Sequence, residues 1–183
     1  MSAGEEMKLP LGRLAQGISM LSAAFAVVGG LGIVGIMVLI NADVIGRGAF
    51  STPVPATAEI VSAAIVAVVF LQLPFAIRSG RAVRSDMLIG RLQRSSPRIG
   101  NALDAVHHLA GAVMLAILVY YLWPQLESTF TQHRTVGLHG VFIIPRWPFT
   151  LCVFLGAVLA TLQYVLLTLA YAHRAIIGGE TDE

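Results

Sequence analysis

The sequence predicts an all-α membrane protein of four transmembrane helices, N-in and C-in, with a short amphipathic interfacial helix in the central cytoplasmic loop. Three observations predict it. The 183 residues are 56% apolar and only 12% charged, with a mean hydropathy of +0.79, far from the usage of a soluble domain. Residues 14–42, 60–77, 105–126 and 147–173 carry no Asp, Glu, Lys or Arg, giving uncharged runs of 29, 18, 22 and 27 residues. Six of the twelve Lys/Arg residues fall between Arg78 and Arg98, midway between two pairs of these runs.

Each run can cross a hydrocarbon layer of about 30 Å at about 1.5 Å per residue. Helices are expected at about 14–42, 57–77, 99–123 and 147–173, with a cytoplasmic loop at 78–98, all within a single membrane domain over residues 1–183. The first run is longer than a signal-peptide core of roughly 7 to 15 residues and no small-residue cleavage site follows it, so it is expected to stay as an anchor. Beyond it, Gly48, Pro53 and Pro55 require a turn. Thr57 then stands where an N-cap would, and Glu59 falls in the first helical turn, where the dipole favours a carboxylate. The second run is the shortest; Ala58, Glu59 and the stem of Arg78 extend it, and Pro74 predicts a kink late in it. In the central loop Val83, Met87, Leu88 and Leu92 recur at helical spacing among Arg84, Asp86, Arg91 and Arg94. That pattern predicts a helix lying along the headgroups. A long loop, Glu127 to Pro148, joins the last two runs, and Trp123 and Trp147 at its flanks are expected as interfacial anchors.

Orientation follows from the basic residues. With the N-terminus inside, the inner segments hold nine Lys/Arg and the outer ones three, namely Arg47, Arg134 and Arg146. This bias places both termini and the central loop in the cytoplasm. Topology thus accounts for the basic residues, and nothing in the charge points to nucleic acid. The single Cys152 can form no internal disulfide and reads as a small apolar filler.

Ser22, Ala26 and Gly30 form a ladder of small residues on the first helix, and Gly156 with Ala160 repeats it on the fourth. Such ladders let backbones approach closely, either within this bundle or against another chain. Every Asp, Glu, Lys and Arg is expected at or beyond a helix end, so no charged or polar site is visible near the midplane, where a self-sufficient carrier would need one. Asp43 and Arg47, four apart, can pair at the outer end of the first helix, with Glu59 reaching the same arginine. The three read either as a salt-bridge cluster that fixes the hairpin or as a contact for a partner protein. Neither a nucleophile nor metal-ligand spacing accompanies them, so no catalytic residue, metal ligand or cofactor is assigned. His107, His108 and His173 are expected near the inner surface, where polar packing is the plain reading and a haem between facing helices is geometrically conceivable. A haem-carrying or membrane-anchoring electron-transfer subunit is therefore the alternative.

The segments Asp43-Val-Ile-Gly-Arg47, Pro53-Val-Pro55 with Glu59, Pro74, Arg78-Ser-Gly-Arg81-Ala-Val-Arg84-Ser-Asp86 and Ile143-Ile-Pro145-Arg-Trp147 together resemble the small transmembrane (Q-type, DctQ-like) subunit of tripartite ATP-independent periplasmic (TRAP) transporters. The resemblance runs from about Asp43 to Phe154. It departs from the family pattern at Gly48, where members often have an aromatic, and at Arg81, where they often have a histidine. It implies a non-enzymatic small permease subunit in the bacterial inner membrane. Its partners would be a large permease subunit that binds substrate and sodium, a periplasmic substrate-binding protein, and membrane lipid. The cargo would be a small organic acid taken up by sodium-coupled symport. Asp43, Arg47 and Glu59 would organise the outer end, and Arg78, Arg81, Arg84 and Asp86 the cytoplasmic turn.

Overall fold

The computed structural model describes the backbone of residues 12–79, 97–131, 135–136 and 144–177. Four helices make up nearly all of it: α1 (Gly12–Phe50), α2 (Thr57–Arg78), α3 (Pro97–Thr131) and α4 (Trp147–Ile177). Two short strands, β1 (Thr135–Val136) and β2 (Ile144–Pro145), pair antiparallel between α3 and α4. All four helices are long and apolar enough to cross a membrane, so the all-α, four-span architecture expected from the uncharged runs is the one observed. The central-loop helix built on Val83, Met87, Leu88 and Leu92 lies outside the described residues.

Helix ends differ from expectation. α1 continues past residue 42 to Phe50, and α3 past residue 123 to Thr131, carrying Pro124 inside it. A charge marks where the hydrocarbon stops, whereas a helix stops only where its hydrogen bonding is broken. At 39 and 35 residues, α1 and α3 measure about 58 and 52 Å, against a hydrocarbon core of about 30 Å. Trp123 consequently sits within α3 rather than at its end, touching Phe154 of α4 at 5.8 Å between ring centres. Trp147 is the first residue of α4 and meets Phe130 at 5.9 Å.

What breaks α1 is local. Ser51 takes a left-handed conformation (φ 52°), and the Thr52 amide donates back to the Gly46 carbonyl at 3.0 Å. The returning chain passes so close that a Cβ on Gly46 would lie 2.6 Å from the Thr52 carbonyl oxygen, so only glycine fits there. Pro53 and Pro55 then keep the helix from resuming. Thr57 does not cap α2 as its position suggested. The cap is Ala56, itself left-handed (φ 61°), and no side chain bonds the first amides. The turn through Pro55 brings the Val54 carbonyl back onto Thr57, whose hydroxyl donates to it at 2.9 Å.

α4 lies at the centre of the bundle. It packs along α3, along α2 and, over a smaller patch, on α1, while α1 also packs along α2. Ala157 and Ala160 on α4 are fully buried. Along the α3–α4 seam the rings of Trp147, Phe154, Tyr164 and Tyr171 meet Phe130, Trp123 and His108 in antiparallel order, and Gly111 gives Tyr164 its space. α2 and α4 approach closely at Gly156, where an added Cβ would strike the Phe70 carbonyl.

Of the small residues on α1, Ser22 is fully buried. Gly30, however, has open space around it: a Cβ added there would meet nothing within 4 Å. The close approach to α2 is made instead by Gly29 and Gly32, whose added Cβ atoms would lie 2.8 Å from Gln72 Cγ and 2.7 Å from Val68 Cγ2. Ala26 is half-buried. α1 is apolar on every side, so spacing alone could not tell which small residues face a neighbour.

Candidate functional site

Three groups of polar side chains stand out, two at the ends of the bundle and one inside it. At the hairpin end, where α1 turns into α2, Asp43 is buried at 7% exposure. One of its carboxylate oxygens accepts the Val54 amide at 2.9 Å and the other accepts Arg47 Nη2 at 2.7 Å. The carboxylate therefore ties the loop to the helix that precedes it. Arg47 is one helical turn away and mostly exposed, so its guanidinium keeps donors free for another acceptor.

Glu59 does not join this pair. Among the described residues the Arg47 ion pair is with Asp43 alone, and Glu59 stands instead with residues of α3 and α4. There it lines a groove of about 780 Å³ together with Ser62, Val66 and Phe70 of α2, Leu118, Leu122 and Gln125 of α3, and Arg146, Phe149, Thr150 and Val153 of α4 and the residue before it. The groove exists because α2 and α3 both pack on α4, which forms its floor. Its mouth is polar, with Glu59, Gln125 and Arg146, and its depth is apolar. Arg146 is exposed; its carbonyl accepts the Thr150 amide and hydroxyl, both at 3.3 Å, which starts α4. No ion pair joins Glu59 to Arg146 among the described residues.

At the opposite end, Arg78 closes α2 and its Nη1 donates to the Ser19 carbonyl of α1 at 3.4 Å. This long bond holds the two helices together where α2 ends. Arg81, Arg84 and Asp86 lie outside the described residues.

The interior is not wholly apolar. Gln163 of α4, 4% exposed, donates through Nε2 to Ser22 Oγ of α1 at 3.2 Å, and that hydroxyl donates to the Ile18 carbonyl at 2.7 Å. Ser19 and Arg78 lie one turn further toward the end of α2. A search for ionisable residues passes over this pair, since neither member carries charge. Asp104 and His108 on α3 are likewise buried, at 1% and 2% exposure. His108 Nδ1 lies 2.6 Å from the Asp104 carbonyl; since a carbonyl can only accept, Nδ1 carries the proton. The ring stacks on Tyr171 at 5.0 Å and 26°. His107, its neighbour in sequence, is exposed.

Chemically, the arrangement offers exposed charge at the hairpin end, a half-polar groove beneath it, and an interior amide and hydroxyl, Gln163 and Ser22, bonded to each other. Residues 36–174 match the family model described as tripartite ATP-independent periplasmic transporters, DctQ component. No curated protein and no solved structure matches the chain.

Proposed function

The chain belongs to the DctQ component family of tripartite ATP-independent periplasmic transporters, and from that premise we propose that it is the small permease subunit of a sodium-coupled importer. It braces the large membrane subunit that binds substrate and sodium. The cargo is a small organic acid handed over by a periplasmic binding protein. The observation that carries this reading is the central seam. α4 meets all three other helices through fully buried Ala157 and Ala160, and its buried amide, Gln163, is bonded to Ser22. Such a seam holds a shape, whereas a carrier is built around a path lined by polar groups or broken helices.

The rest of the reading fits this role. The nine-to-three distribution of Lys/Arg supports an N-in, C-in orientation in the bacterial inner membrane. The hairpin end then faces the periplasm, where a binding protein docks, and the Asp43–Arg47 pair and Glu59 organise that surface. Arg78, Arg81, Arg84 and Asp86 hold the cytoplasmic turn, with the basic residues on anionic headgroups at about 1 kcal/mol each. Trp123 and Trp147, both largely exposed, help to set the depth of the bundle in the bilayer.

Reconstitution tests the proposal. Vesicles holding this chain, the large subunit and the binding protein accumulate solute under an inward sodium gradient, and omitting this chain abolishes uptake. Arg47→Ala and Glu59→Ala each lower uptake while the protein still inserts. Accumulation by this chain alone, or full uptake without it, overturns the proposal.

A further inference from the structure

We propose that the groove between α2 and α3 seats one acyl chain of a phospholipid whose headgroup carries both a phosphate and a primary ammonium, drawn from the leaflet on the Glu59–Arg146 side. The polar mouth presents one acid, Glu59, one base, Arg146, and one amide, Gln125. Arg146 and Glu59 form no ion pair with each other among the described residues, which leaves a cation and an anion in the mouth of one groove. That is the charge pattern complementary to a zwitterionic headgroup: guanidinium to phosphate, carboxylate to ammonium. A choline headgroup offers the carboxylate no N–H donor, and a glycerol headgroup offers it no cation.

Below the mouth the lining is Val66, Phe70, Leu118, Leu122 and Val153. From Glu59 to Phe70 the groove extends about 16 Å along α2, which matches one leaflet's share, about 15 Å, of a hydrocarbon core of about 30 Å. An acyl chain there covers apolar surface that α2 and α3 leave open by packing on α4 and not on each other. The inference rests on the groove alone and stands whether or not the proposed transport role holds.

The test is native mass spectrometry of the full chain, purified with whatever membrane partners it retains and equilibrated with vesicles of phosphatidylethanolamine, phosphatidylcholine or phosphatidylglycerol. One phosphatidylethanolamine is retained in preference to the other two. Arg146→Gln lowers that retention about tenfold, as expected for losing one charge-assisted hydrogen bond, and Glu59→Gln removes the preference for ethanolamine over choline. Both side chains are exposed, so neither variant is expected to unfold the bundle. A photo-crosslinking residue at Val66 labels lipid. Retention of no lipid, equal retention of all three, or indifference to both substitutions overturns the proposal, as does a Val66 crosslink to a protein chain, which would make the groove a protein-docking surface.

Discussion

The Phe70 peptide group lies directly against Gly156, and the reason lies one turn further along α2. Position 74 is proline, which has no amide to return to the Phe70 oxygen and whose ring pushes that carbonyl away from the helix axis. The displaced oxygen needs somewhere to go. Gly156 supplies it, since any Cβ there would collide with the Phe70 backbone. A proline on one helix and a glycine on another thus form a single fitted unit.

Gly156→Ala should accordingly destabilise the bundle by about 1–3 kcal/mol, the usual penalty for overpacking, although alanine is the better helix former. Thermal unfolding in detergent measures it. Pro74→Ala restores an amide to position 74 and draws the Phe70 oxygen back into α2, so Gly156→Ala should cost less in that background. Additive effects of the two substitutions would sink the idea that they form one unit.

The glycines of α1 divide into two kinds. Gly29→Leu and Gly32→Leu should weaken the α1–α2 contact, because even a Cβ meets Gln72 and Val68. Gly30→Leu should leave the isolated chain as stable as before, having open space around it. Comparing midpoints of unfolding for the three variants reads this directly. Co-purification with the large subunit adds a second readout: if the Gly30 face meets a partner, Gly30→Leu reduces recovery of that partner without lowering the stability of the chain itself.

Buried hydrogen bonds between neutral side chains within membrane proteins are worth about 0.6 kcal/mol on average, so the Ser22–Gln163 bond is no large prop. The asymmetry between its partners is more informative. Ser22→Ala leaves the Gln163 amide buried and unpaired, which costs about 1–3 kcal/mol. Gln163→Leu removes the polar group altogether and should be close to neutral. Equal losses for the two variants in equilibrium unfolding would contradict the pairing at 3.2 Å.

How far the sequence could be read varies by feature, for physical reasons. The spans were legible because lipid tolerates no charge, so an uncharged run has a meaning independent of packing. The helix ends at Phe50 and Thr131 were not, because the signal used was the edge of the hydrocarbon. Gly46 and Ser51, which do end α1, act through the path of the returning chain. Gly29 could not be told from Gly30 on a helix apolar all round. Gln163 was missed for lack of charge; a glutamine in the middle of an apolar run was the signal available. Glu59 and Arg146 are far apart in sequence, and only the packing of α2 and α3 on α4 brings them to one groove. That packing also explains why Glu59 does not reach Arg47.

Asp43 and Arg47 form one ion pair, yet their substitutions should differ sharply. Arg47 is exposed, and an exposed pair of this kind is worth about 0–1 kcal/mol; Arg47→Ala should hardly move stability. Asp43 is buried and also accepts the Val54 amide at 2.9 Å, so Asp43→Ala leaves that amide without its acceptor and frees the loop through Pro53 and Pro55. The expected cost is about 1–3 kcal/mol, with faster proteolysis between Ser51 and Ala56. Asp43→Asn separates the two functions of the side chain, since its carbonyl can still accept from Val54 while its attraction for Arg47 is gone. It should restore most of the stability lost in Asp43→Ala. If the hairpin end works through the Arg47 charge held in place by Asp43, then Asp43→Asn stays folded but resembles Arg47→Ala in uptake. A stable Asp43→Asn protein with undiminished uptake would show that the carboxylate serves the loop alone.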